Sequence, residues 1–129
     1  MADISVLIVV DVVGAATHGL GGNIYLVDTT GYMGSTAEGK PELVTQVTEG
    51  QIVTWQVAPV DASTNVEIAG FTGQMINDKI CVPTVQGISN HVFWEGLVEA
   101  QGVKGDQQYS VSLTVDDTPM SWDPHLYIS

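Results

Sequence analysis

Trp122-Asp123-Pro124-His125-Leu126-Tyr127-Ile128-Ser129 is the stretch whose reading decides the fold. In an extended chain Trp122, Pro124, Leu126 and Ile128 fall on one side, and Asp123, His125, Tyr127 and Ser129 on the other. Side chains of a strand alternate with period two, so the segment predicts a strand with one buried face. Upstream, Tyr109, Val111, Leu113 and Val115 alternate in the same way with Ser110, Ser112, Thr114 and Asp116. Asp116-Asp117-Thr118-Pro119-Met120 lies between the two and has turn chemistry. The pair predicts an antiparallel hairpin whose polar face carries Asp116, Asp123, His125 and Tyr127.

Working outward, the rest of the chain reads as further strands. Ile4 to Val13 is rich in β-branched residues and nearly continuous, which suits a strand buried on both faces. Asn23 to Asp28 predicts a second strand, after a small-residue loop from Gly14 to Gly22. Leu43 to Val47 and Gln51 to Val57 flank Thr48-Glu49-Gly50, a compact hairpin signal. Asn65 to Phe71 and His91 to Ala100 predict two more strands, and Thr72 to Asn90 is broken by Gly73, Pro83 and Gly87. No window sustains a capped 3.6-residue apolar period. Strands recurring about every 10 residues with turns between are the pattern of a sandwich or small barrel. The expected fold is all-β: a single antiparallel β-sandwich with Greek-key connections, jelly-roll or cupredoxin-like, over residues 1–129.

Composition bounds the function. The 129 residues are 44% hydrophobic and 14% charged, which suits one globular domain. Fifteen acids face three lysines and no arginine, for a net charge of −12. No basic stripe for nucleic acid can be built from Lys40, Lys79 and Lys104, and the bidentate arginine clamp for phosphate is missing. The apolar N-terminal run lacks a preceding cation and is interrupted by Asp11, so neither a signal peptide nor membrane insertion is expected, and the chain reads as cytoplasmic as made. Cys81 is the only cysteine, and between Ile80 and Val82 it reads as a buried, inert thiol.

The sequence shows no nucleophile elbow, zinc-protease helix or phosphate-binding glycine loop. His18, His91 and His125 share no ligand spacing. Val47 to Trp55 resembles the turn-and-strand entry of cupredoxins, but Cys81 is followed by no His before His91 and no Met before Met120, so copper is not expected. Asp116, Asp117 and Asp123 are the one group that would suit calcium, yet they form no EF-hand loop and acidic turns are usually solvated. No cofactor is therefore expected. Carbohydrate is the remaining ligand class, because sugars are held by aromatic faces and by carboxylate or amide acceptors. Asp116, Asp123, His125, Tyr127, Trp94 and Asn90 are the candidate contacts, whereas Trp55 and Trp122 alternate in phase with apolar neighbours and are expected in the core.

Several short signatures occur in order: Val9-Val10-Asp11, Asn23-Ile24-Tyr25-Leu26-Val27, a Val-x-x-Gly-x-x-Val-x-Trp run from Val47 to Trp55, and Trp-Asp-Pro-x-Leu-x-Ile from Trp122 to Ile128. In these the chain resembles the PixA/AidA inclusion-body proteins of bacteria. The resemblance implies an abundant, non-enzymatic protein of host-associated bacteria, accumulating in inclusions or released non-classically. It carries no catalytic residues. A lectin-like, carbohydrate-binding homo-oligomer acting in host or community interaction is the leading expectation, and an inclusion-forming assembly or storage protein without a specific ligand is the alternative.

Overall fold

A computed structural model describes residues 4–11, 24–28, 43–59, 66–88, 91–115 and 118–128, apart from the side chains of Val27, Ile88, His91 and Thr118. The described strands are β1 (Ile4–Val10), β2 (Ile24–Asp28), β3 (Val44–Val47), β4 (Ile52–Pro59), β5 (Val66–Thr72), β6 (Thr84–Ile88), β7 (His91–Leu97), β8 (Gly105–Gln108), β9 (Ser110–Val115), β10 (Thr118–Trp122) and β11 (His125–Ile128). One short helix, α1 (Gln74–Asn77), separates β5 from β6. The fold is all-β. A five-stranded sheet runs β2-β1-β4-β7-β6, and two three-stranded sheets run β10-β9-β5 and β3-β11-β8.

The expected C-terminal hairpin is present, but its arms pair in a different register from the one expected: β9 pairs with β10, and β11 pairs with β8. Thr118 stands opposite Val115 and Trp122 opposite Val111. Farther along, His125 stands opposite Gln108 and Ile128 opposite Gly105. At the junction the Tyr109 amide donates to the Pro124 carbonyl at 3.1 Å. One register thus persists from the tip to the end, and β8-β9 with β10-β11 form one ribbon. Thr118 to Met120, expected in the turn, belong to β10. Pro119 is accommodated because β10 is an edge strand, where a missing amide donor costs nothing. The ribbon passes between two sheets: β5 adds beside β9, and β3 adds beside β11.

Three expectations are corrected. The sheets are mixed and not purely antiparallel. β1 runs parallel to β4, with Ile4 opposite Val53 and Val10 opposite Pro59, and β3 runs parallel to β11. An alternating pattern reports which face is buried, and it reads the same for either strand direction. Parallel neighbours need only a long enough connection, which both pairs have. Thr48-Glu49-Gly50 does not close a hairpin, since β3 and β4 lie in different sheets. Gly50, at φ +91°, instead donates its amide to Val98 at 2.9 Å, and Val98 donates back to Gln51 at 2.9 Å, so the turn is tied to the end of β7. Finally, β1 is buried on one face only: Ile4, Val6, Ile8 and Val10 are buried while Ser5 and Leu7 are exposed.

The core lies where the five-stranded sheet meets the ribbon. Trp55 of β4 is fully buried, its ring 5.0 Å from Phe71 of β5 and 5.8 Å, edge-on, from Tyr109. Its indole nitrogen donates to the Tyr109 hydroxyl at 3.1 Å, which satisfies both buried polar groups. Trp122, Leu126 and Ile128 are buried as the alternation required. Gly96 of β7 is needed for contact: a Cβ there would sit 2.6 Å from the Cys81 sulfur and 3.3 Å from the Pro83 nitrogen.

Candidate functional site

The outer face of the ribbon is built by the same register that fills the core. Residues directly opposite in a ladder share a face. Asp106 is opposite Tyr127 and Gln108 opposite His125, while on the other flank Val44 meets His125 and Gln46 meets Tyr127. All six point away from the buried row that holds Leu126, Ile128, Thr45 and Val47. Three of the expected residues, Asp123, His125 and Tyr127, therefore lie along one polar face.

Their bonding differs. The Ser110 hydroxyl donates to Asp123 Oδ1 at 2.5 Å, locking that carboxylate across the ribbon. His125 Nδ1 lies 2.7 Å from Asp106 Oδ2, one strand over. With Nδ1 engaged by Asp106, Nε2 is the ring nitrogen left to hydrogen-bond a ligand. Tyr127 is 45% exposed and offers a ring face and a hydroxyl. The face can accept and donate hydrogen bonds beside one aromatic surface, on an open sheet.

Trp94 lies elsewhere. It sits on β7 of the five-stranded sheet, partly buried, its ring 5.4 Å from Phe71. Asp116 and Asn90 lie outside the described residues, as does Asp117. The calcium expectation drew on both of those aspartates, and among the described residues no three His, Cys, Asp or Glu side chains group as metal ligands. Asp106 and Gln46 are not among the candidate contacts expected from the sequence, and Ser110 stands there only in the polar row of its strand. Asp106 was within reach, because carrying the Tyr109 alternation back through Gln107 puts Asp106 and Gln108 on the polar side. Gln46 was not, because it reaches this face only through the parallel pairing of β3.

Two other features bear on chemistry. Cys81 is buried, and burial, with a smaller push from the Glu99 charge, raises its thiol to about 12. It stays protonated at neutral pH and is not a poised nucleophile. An open cleft of about 540 Å3 lies on the five-stranded sheet, with Lys79, Glu95 and Glu99 around apolar Ile76, Val82 and Leu97. No helix among the described residues is long and apolar enough to cross a membrane.

No curated protein matches the sequence. Among solved structures, the chain is similar to an inclusion body protein, PixA, from Burkholderia cenocepacia J2315, with a TM-score of 0.73. The two are 13% identical, and the superposition covers 100% of this chain and 98% of that one. The resemblance stated from the short motifs thus holds for the whole fold. The profile of a family described as "Domain of unknown function (DUF8788)" matches residues 2–121, and the chain belongs to that family.

Proposed function

We propose that this chain is a non-enzymatic, self-assembling protein of the inclusion-body type. The observation that carries the reading is the end-to-end likeness of its fold to an inclusion body protein. The ring contacts between β4, β5 and the ribbon further support a two-layer sandwich as its architecture. A cysteine held as a thiol in the core suits a structural protein better than a catalyst.

Electrostatics sets how assembly would be controlled. At −12, copies repel one another at neutral pH, and salt weakens that repulsion. Self-association is expected to rise with added salt, with divalent cations, and as the pH falls toward the isoelectric point of about 4.1. Light scattering across the three conditions is the test, and a flat response in all of them would remove charge as the control on assembly.

A second reading, carbohydrate binding by an oligomer with several weak sites, is favoured by the shared face of Asp123, His125 and Tyr127. Sugar hydroxyls lose water on binding and must be re-paired, which the acceptors beside the Tyr127 ring could do. A glycan screen of the wild type against a folded Asp123→Ala, Tyr127→Ala double variant decides it. Binding by the wild type and at least a tenfold loss in the variant is the expected result on this reading. Equal binding by both moves the site away from the ribbon, and no binding across a broad panel leaves assembly alone.

A further inference from the structure

We propose that β6 is a docking edge for a second copy of this chain, the two β6 strands pairing antiparallel about a two-fold axis. The proposal rests on the self-assembly reading and names the surface it would use. β6 ends the five-stranded sheet, so one row of its amides and carbonyls faces outward. Among the described residues, no backbone hydrogen bond beyond the ladder to β7 engages Thr84 to Ile88. Thr84, Val85, Gln86 and Gly87 are all exposed.

The other described edges carry features that blunt such pairing. β2 ends in Asp28, β8 carries Asp106, and β10 carries Pro119. β5 carries Glu67 and a register shift between Ile68 and Gly70. In β3, Thr45 and Val47 are buried, and Gln46 and Val47 make further interactions. β6 reads Thr-Val-Gln-Gly-Ile, with no charge and no proline. For a molecule of net charge −12, an uncharged edge is where two copies can approach with least repulsion. This argues for a second copy over a basic partner, which the acidic edges would attract better.

Side chains at this corner suit the same occupant. Val85 pairs with Trp94, and Trp94 with Trp55, so Val85 is on the core-facing side of the sheet. Val92, opposite Gly87, is on that side too. Yet Val85 is 56% and Val92 52% exposed, so here the apolar face runs past the elements that cover it. An antiparallel partner would continue the sheet and bring its own Val85 and Val92 onto the patch. Gly87, at φ +95°, limits the regular pairing segment to Thr84–Gln86, so the contact is short and weak alone.

The test is sedimentation velocity over a concentration series in high salt, on the wild type, Val85→Lys and Val103→Lys. Val103 is an exposed valine away from β6, so its lysine variant makes the same chemical and charge change elsewhere. We expect Val85→Lys to weaken self-association about tenfold or more while Val103→Lys tracks the wild type. Val85→Lys associating as tightly as the wild type, or both variants weakening alike, overturns the edge and leaves the assembly reading standing. A wild type monomeric up to millimolar concentration overturns both. If Val85→Lys does not fold, hydrogen exchange on the wild type decides. Concentration-dependent protection of the Thr84–Ile88 amides supports the edge, and protection that does not change with concentration overturns it.

Discussion

Replacing Trp55 by alanine is expected to destabilise the protein by roughly 3–5 kcal/mol, measured by urea denaturation. Trp55 is fully buried and touches Phe71 and Tyr109, so its ring joins the five-stranded sheet to β5 and the ribbon. Truncation leaves a cavity and also removes the indole donor from the Tyr109 hydroxyl. That hydroxyl is raised well above its ordinary pKa, chiefly by burial, so it cannot ionise to find another partner and stays buried with its acceptor side unpaired. Trp55→Phe should fall between the wild type and the alanine variant, because it keeps much of the packing and loses the hydrogen bond. A loss below about 1 kcal/mol for the alanine variant would show that the five-stranded sheet and the ribbon are held together elsewhere.

The second large effect is at the end of the ribbon. Leu126→Ala is expected to cost about 2–5 kcal/mol by cavity formation, while its neighbour Tyr127→Ala stays within about 0.5 kcal/mol. The contrast follows from register. Leu126 is fully buried opposite Gln107, and Tyr127 is 45% exposed opposite Asp106. A one-residue slip would exchange the two environments. A Leu126→Ala cost under half a kcal/mol would therefore put that side chain on the solvent face and refute the strand as drawn. Parallel melts of both variants separate a register error from general fragility, since only the former raises the cost at Tyr127.

The polar face that the ribbon presents was partly legible for the same reason that its core face was. Asp123, His125 and Tyr127 share a side because they are two residues apart in an extended segment. Trp94 was grouped with them by residue type alone, and its ring packs on Phe71 in another part of the fold. The His125–Asp106 contact at 2.7 Å crosses from β11 to β8, so it depends on which strands pair.

What the sequence by itself determined is local: the buried row Trp122, Pro124, Leu126, Ile128, the buried row from Tyr109 to Val115, and core positions for Trp55 and Cys81. Each follows from period-two alternation or from an apolar neighbourhood, both written in adjacent residues. Only the tertiary structure decided that β1 lies parallel to β4, that β3 joins β11 and not β4, and that the ribbon serves two sheets. Alternation states that a face is buried and says nothing about which strand buries it or in which direction that strand runs. Those choices are made by packing between segments far apart in the chain, where Trp55, Phe71 and Tyr109 meet.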